Sequence, residues 1–495
     1  MFYFFPICII PKKFVVSKLP QPVVIVFTGC YISSEIKRRR KLMNIIYIHT
    51  HDTGRVISPY GYGVHTPNYQ ELCEDSLLFQ NAFSVAPTCS PSRAGLLTGV
   101  FPHQNGMLGL AQRGFNLDKE RHLAHLLTEH GYHTALCGVQ HEIGYYTSHE
   151  MAIGSLGYQE DLSADHSKYF EQDLIYWDEE NADNLVSWLS AYDSEKPFFV
   201  SYGMHATHRA FPDEIHEEED PNYTQPPINI PNNELTREDY ARFKTSLRTA
   251  DENVGAIIEA LKESGLYDET IILLTTDHGL AYPFEKCTLN DSGVGVLLAM
   301  RVPNSKQKMK SFDGLISHVD VLPTLCDLIG LKKPEYLEGQ SFAQLFTGED
   351  YDGDDAVFSE INFHTSYEPV RSVRTKRYKY IRFFDTEYLK VNRSNIDGSS
   401  VKEFYAENGL DEVTKDAECL YDLYYDVYEK NNLAKDESRK KELYKMRELL
   451  KDFMVRTNDP LLAGPIEIQK EWKVNKREAY SAGSKNVIDY DSWGV

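Results

Sequence analysis

None of the eight cysteines in this 495-residue chain is spaced as a Cys-x-x-Cys pair, and they lie scattered along its length. That excludes a disulfide framework and points to a reducing, cytoplasmic setting in preference to export. Basic residues are too few for a nucleic-acid face: 52 Lys and Arg stand against 74 Asp and Glu, a net charge of −22. A polyanionic substrate would meet a repulsive global field, so a local pocket would have to supply the cations. No apolar run reaches the roughly 20 residues of a membrane span, and there is no internal repeat or low-complexity tract. What remains is an ordinary soluble composition, 42% hydrophobic and 25% charged. The length allows two domains and a large core.

Residues 1–42 stand apart. Met1–Ile10 is apolar, Pro11-Lys12-Lys13 interrupts it, Val23–Phe27 resumes it, and a basic cluster fills 37–41. Phe27-Thr28-Gly29-Cys30 has the look of a lipoprotein cleavage site, yet no charged segment precedes the first apolar run. The segment therefore reads as an upstream extension, disordered or not native to the folded protein, ahead of an export signal.

From Met43 onward, four apolar runs each end in polar residues of the kinds that bind ligands. Residues 44–48 lead into His49-Thr50-His51-Asp52, 134–138 into His141, 197–202 into His205 and His208, and 270–274 into Asp277-His278. Continuous apolar runs suit parallel strands covered on both faces. Helical spacing at 181–190 and 251–264 alternates with them, which predicts an α/β fold with a large, mostly parallel sheet flanked by helices. Ligands of such sheets bind at the carboxyl ends of strands, so Asp52, His141, His208 and Asp277 fall on one rim. Asp52, Asp277 and His278 form a candidate hard-cation site; carboxylates suit Ca²⁺ or Mg²⁺, and the imidazole leaves Mn²⁺ and Zn²⁺ open. Lys286 follows nine residues after Asp277 as a point charge for an anionic oxygen. The acidic, turn-rich stretch 348–355 marks a boundary. It divides a catalytic domain, 43–355, from a smaller C-terminal α+β domain, 356–495, with a helix at 438–457 and residues beyond 465 running over the surface.

The most informative stretch is Pro87-Thr88-Cys89-Ser90-Pro91-Ser92-Arg93-Ala94-Gly95-Leu96-Leu97-Thr98-Gly99. Pro91 suits a first helical turn, whose free N–H groups attract anions, and Arg93 adds a planar fork of donors. A cysteine so placed is expected to have a depressed pKa and to serve as nucleophile or modification target. Cys89-x-Pro91-x-Arg93, extended by Leu96, Thr98 and Gly99, resembles the signature of the sulfatase family.

The resemblance extends over nearly all of 43–465 and implies the alkaline-phosphatase-like fold of that family. It further implies a formylglycine made from Cys89 by a sulfatase-maturating enzyme, one divalent metal (Ca²⁺ in most of the family), and a sulfated saccharide as substrate. By the same likeness Arg93 steadies the formylglycine, His141 or His208 protonates the leaving group, and Lys286 holds sulfate oxygens. Asp52, Asp277 and His278 match metal ligands. His51 stands where the family has a further acidic ligand, and Val139 where it has a lysine. Within the family the likeness is to the heparan N-sulfatases, carried by the Asp277–Lys286 spacing, the run Met204–Arg209, and Phe363-His364 followed by Pro369–Val373. It implies substrate contacts from His205, His364 and Arg371. A sulfate ester and a sulfamate both remain open. Two other readings fit the same residues: a phosphonate or phosphate diester hydrolase, and a glycan-binding pseudosulfatase whose Cys89 is never converted.

Overall fold

The apolar runs pair with one another at the centre of an eight-stranded sheet in the computed structural model, which describes residues 42–144 and 149–483. The readings of the N-terminal extension and of 484–495 lie outside the described residues. The strands are β1 (Asn44–Thr50), β2 (Leu77–Phe83), β3 (His133–Gly138), β4 (Glu160–Asp161), β5 (Phe198–Gly203), β6 (Thr270–Thr276), β7 (Leu298–Arg301) and β8 (Lys310–Ser317). They lie in the order β4-β3-β5-β1-β6-β7-β2-β8, and every neighbouring pair is parallel except those β7 makes with β6 and β2. β1 sits between β5 and β6, with Ile46 opposite Val200 on one side and Ile272 on the other.

Strand periodicity splits β1 between two cores. Ile45 and Tyr47 pack with Ala94, Leu96 and Leu97 of the helix Cys89–Thr98 and with Leu322 and Leu325 of the helix Val321–Ile329. Ile46 and Ile48 face Leu185 and Leu189 of the helix Leu174–Ala191 and Val254, Ile257 and Leu261 of the helix Glu234–Glu263. Helices therefore cover both faces, which is why these strands are apolar throughout. The segment read as a helix at 251–264 is the second half of a 30-residue helix. Its first half carries polar and charged residues that blur the apolar stripe.

A second, antiparallel sheet begins at Ala356, just past the acidic turn-rich stretch. It comprises β9 (Ala356–Phe363), β10 (Tyr367–Thr375), β11 (Tyr378–Phe383) and β12 (Glu418–Asp422), in the order β12-β11-β10-β9. One face takes the helix Lys440–Arg456, where Val373, Tyr380 and Leu420 meet Leu443, Met446 and Leu450. The other packs on the larger sheet's surroundings, Ile361, Val370 and Ile381 against Phe83, Val294 and Leu315. Residues past 465 do more than run over the surface. Trp472 stacks on Phe115 at 4.4 Å between ring centroids, and the Asn475 backbone N–H donates to the Thr365 carbonyl at 2.7 Å.

Candidate active site

Four strands deliver the polar residues to one edge. β1 ends at Thr50, and Asp52 then takes a left-handed φ of 56°. Aspartate tolerates that region better than most residues. The turn aims the Asp52 backbone N–H at Asp277 Oδ1, 2.9 Å away at the end of β6. β3 ends at Gly138, whose φ of 81° and close approach to the Gly203 carbonyl leave no room for a side chain. The chain then turns into His141. Cys89 enters from the opposite side as the first residue of a wholly buried helix. Two serines of the signature anchor that helix: Ser92 Oγ donates to the Asp277 carbonyl at 2.5 Å, and Ser90 Oγ accepts the Ala111 N–H at 3.1 Å.

The result is a cluster of His51, Asp52, Cys89, Asp277 and His278, all buried, whose donor atoms lie within 4.8 Å of one another. His278 Nδ1 lies 3.0 Å from the Gly279 carbonyl, which can only accept, so Nδ1 carries the proton. His278 Nε2 then holds a lone pair; it is buried with no hydrogen-bond partner, 3.2 Å from Asp52 Oδ1 and 3.7 Å from Asp277 Oδ2. An orphaned lone pair facing two carboxylate oxygens is what a bound cation resolves, so the residues present fit a divalent metal.

Neighbouring side chains hold the carboxylates ionised. Burial opposes the charge on Asp52, but Lys286 and then His278 keep it well below the usual carboxylate range. Asp277 is held low in the same way by His278, His51 and Arg93. The Arg93 fork grips Asp277 Oδ2 at 3.1 Å, the Thr50 carbonyl at 3.2 Å, and His49 Nδ1. Lys286 Nζ lies 2.8 Å from Asp52 Oδ2, 2.8 Å from Asp397 Oδ2 and 3.4 Å from His208 Nε2. Burial works against the ammonium, yet Asp397 and Asp52 hold its pKa well above the ordinary lysine value.

The histidines ring this centre. His51 Nε2 and His141 Nδ1 are hydrogen-bonded at 3.1 Å. His208 Nδ1 donates to the Arg209 carbonyl, which turns Nε2 towards Lys286. The His205 ring lies 5.2 Å from that of His208. His364 is buried with Nδ1 unpartnered, and burial followed by the Lys286 charge pushes its pKa down to about 3. A cleft of about 1370 Å³ reaches Lys286 between Phe284 and Asn395.

The family model for sulfatases matches residues 43–331, which carry the whole large sheet and the cluster. This chain belongs to the sulfatase family. It is thus a sulfuric ester hydrolase. A second model, described as N-sulphoglucosamine sulphohydrolase, C-terminal, matches residues 277–419. An ulvan-active sulfatase of Formosa agariphila is 27% identical over 90% of this chain and 80% of its own. The N-sulphoglucosamine sulphohydrolase of Homo sapiens is 26% identical over 82% of this chain and 89% of its own. Among solved structures, BT4656 in complex with its substrate D-glucosamine-2-N,6-O-disulfate has a TM-score of 0.65 at 19% identity, covering 85% of this chain and 99% of the other. That likeness is one of fold.

Two expectations for this sulfatase need correction. The Cys89 thiol is not acidified: burial pushes its pKa up, and Lys286 offsets this only in part. Its helix places it among the cluster's donors but shields it from water. Arg371 is no substrate contact in this fold. It is wholly buried, with Nε and Nη2 on Asp459 at 2.5 and 3.0 Å and Nη1 on the Ile361 and Val370 carbonyls. Its position on β10 turns the fork inward, towards the end of the C-terminal helix, and its complete burial keeps it from a ligand.

Three residues of the sulfatase centre were given no role in the sequence reading. Asp397 sits in an irregular loop with no strand before it to flag it. Asp178 lies inside a helix, yet its carboxyl accepts the His205 and Ala206 N–H groups at 2.7 and 2.8 Å and so shapes the loop that carries His208. His49, the residue before the end of β1, was named in the polar run but given no role, and its alternation with His51 was the available signal.

Proposed function

We propose that this sulfatase hydrolyses a sulfate ester or sulfamate on a saccharide, with N-sulfated glucosamine the foremost candidate. The observation that carries the reading is the placement of Cys89 within 4.8 Å of the donors of His51, Asp52, Asp277 and His278. The substrate class is supported by the match of 277–419 to the C-terminal part of N-sulphoglucosamine sulphohydrolases and by the saccharide sulfatases among the relatives.

Formylglycine at position 89 would supply a hydrated aldehyde whose hydroxyl attacks sulfur, and a divalent metal held by Asp52, Asp277, His278 and His51 would supply positive charge beside it. This chain's own residues do the rest. Arg93 locks Asp277 in place through its bidentate-capable fork, so the cluster's geometry is set before substrate arrives. Lys286 presents a permanent cation to a sulfate oxygen, which answers the repulsion of a net charge of −22. With a cation on His51 Nδ1, His51 Nε2–H would donate to His141 Nδ1, 3.1 Å away, and leave His141 Nε2–H to donate to the departing oxygen or nitrogen. His208 Nε2, on a side chain 26% exposed, faces the same space and can exchange protons with solvent. His205 and His364 would contact the sugar from the flanks.

Sulfate release from N-sulfated and O-sulfated glucosamine, paired with mass spectrometry of the Cys89 peptide, tests the reading. Formylglycine lowers the residue mass, and the converted enzyme is expected to release sulfate. Conversion without sulfate release from any sulfated sugar would defeat the proposal.

A further inference from the structure

The oxygens of Asp52 and Asp277 are unequally committed. Asp277 Oδ1 accepts the backbone N–H groups of Asp52 and His278, both at 2.9 Å, so the oxygen offered to a cation is Oδ2, which it would share with Arg93 at 3.1 Å. Asp52 Oδ2 is taken by Lys286 at 2.8 Å, so only Oδ1 is left. Besides Cys89 Sγ, the other two donors in the same space are nitrogens. His51 Nδ1 lies 2.8 Å from Asp52 Oδ1 and 3.2 Å from Asp277 Oδ2, and His278 Nε2 lies 3.2 Å from Asp52 Oδ1. The four atoms Asp52 Oδ1, Asp277 Oδ2, His51 Nδ1 and His278 Nε2 therefore form a compact N₂O₂ set inside a buried pocket.

Calcium prefers six to eight oxygens, many of them from carboxylates that bind through both atoms. The two carboxylates give this pocket one oxygen each, with residue 89 the single further place for an oxygen among the clustered residues. Imidazole with single carboxylate oxygens is instead the donor chemistry of first-row transition cations. The tautomers agree with that assignment. His278 Nδ1–H is spent on the Gly279 carbonyl, so that ring already turns its Nε2 lone pair inward; His51 Nδ1, now hydrogen-bonded to Asp52 Oδ1 at 2.8 Å, would do the same once a cation takes the place of its proton, with Nε2–H then turned to His141.

We infer that this site selects a first-row transition divalent cation, of the Zn²⁺ or Mn²⁺ class, over Ca²⁺, with His51 and His278 as its nitrogen ligands. The inference rests on the proposed metal site and deepens it. It also makes His51 a coupling element, because the ring that turns Nδ1 towards the cation must present Nε2–H to His141.

The test uses the full chain stripped of metal and dialysed against equimolar Ca²⁺, Mg²⁺, Mn²⁺ and Zn²⁺, with bound metal read by elemental mass spectrometry. Cys89→Ser is run in parallel so that a thiolate cannot account for retained Zn²⁺. Close to one transition cation per chain is expected in both proteins, with Ca²⁺ at least tenfold lower. His51→Asp, and His51→Asp with His278→Asn, should shift the retained metal towards Ca²⁺ by tenfold or more. Should those variants fail to fold, pulsed electron paramagnetic resonance of the Mn²⁺-loaded wild type decides the ligands: two imidazole nitrogen couplings are expected. Stoichiometric Ca²⁺ from the mixture, no bound metal, or Mn²⁺ without nitrogen couplings would each overturn the inference. A protein that takes up Ca²⁺ from the mixture and releases sulfate would sink this inference and leave the sulfatase reading standing. A Zn²⁺- or Mn²⁺-loaded protein inert on every sulfated sugar would do the reverse.

Discussion

Replacing Arg371 with alanine separates a structural role from a substrate-binding one. The side chain is fully buried, bidentate on Asp459 and 3.9 Å from Glu360, with two further bonds to main-chain carbonyls. Arg371→Ala leaves Asp459 unpaired inside the C-terminal layer and removes the cation that helps hold Glu360 ionised, its pKa lowered to about 2 chiefly by His103 and Arg371 against burial. Breaking a buried pair from one side costs about 3–5 kcal/mol, and the lost carbonyl contacts add to it. The assay is urea unfolding followed by fluorescence and circular dichroism, with kcat/KM measured on a sulfated saccharide and on an aryl sulfate below the unfolding transition. The midpoint should fall steeply, and the two substrates should lose activity in parallel with the folded fraction. A variant as stable as wild type that loses only the saccharide would refute this reasoning and restore Arg371 to the substrate site.

Other perturbations bear on the centre itself. Cys89→Ala should abolish turnover while leaving the unfolding midpoint within about 1 kcal/mol, since a small buried group is removed; retained sulfatase activity with normal folding would contradict a role for residue 89. Asp277→Asn should lose bound metal and weaken folding together, because Arg93 loses its buried counter-charge; full metal occupancy on elemental analysis would count against the site. Asp397 has its pKa lowered from 3.8 to about 2 because Lys286 outweighs burial. Its stabilising contribution, about 2 kcal/mol, is therefore present above pH 4 and lost as pH falls through 2. Asp397→Asn should flatten that acid limb, and an unchanged stability profile would show that the pair contributes nothing. Lys286→Ala should reduce kcat/KM by the loss of a charge-assisted hydrogen bond, about 1.5–3 kcal/mol, and an unchanged value would remove it from the sulfate pocket.

Much of this centre was legible because parallel strands turn apolar pattern into position. Once the runs ending before His51, His141, His205 and Asp277 were read as buried parallel strands, their following residues had to share an edge, and they do. The extended signature around Cys89 placed the helix and its first residue. β7 and β8 went unread: β7 is only four residues long, and β8 begins with four residues that are exposed or partly so. Arg371 was misread because a strand residue's face depends on which side meets the core; among the basic residues of β10 and β11, Arg371 and Lys379 are both fully buried and paired with carboxylates. Asp397 could not be found at all, since its role depends on a loop folding back across 111 residues of sequence to reach Lys286.

The most direct test of the account is sulfate release from N-sulfated glucosamine and heparin disaccharides, measured by ion chromatography. Wild type and Cys89→Ala are both produced alongside a sulfatase-maturating enzyme, and the residue 89 peptide is checked by mass. The account predicts a converted residue 89 and sulfate from the wild type, with none from Cys89→Ala. Converted wild-type enzyme that releases phosphate from aryl phosphate but no sulfate from any sulfated sugar would contradict it.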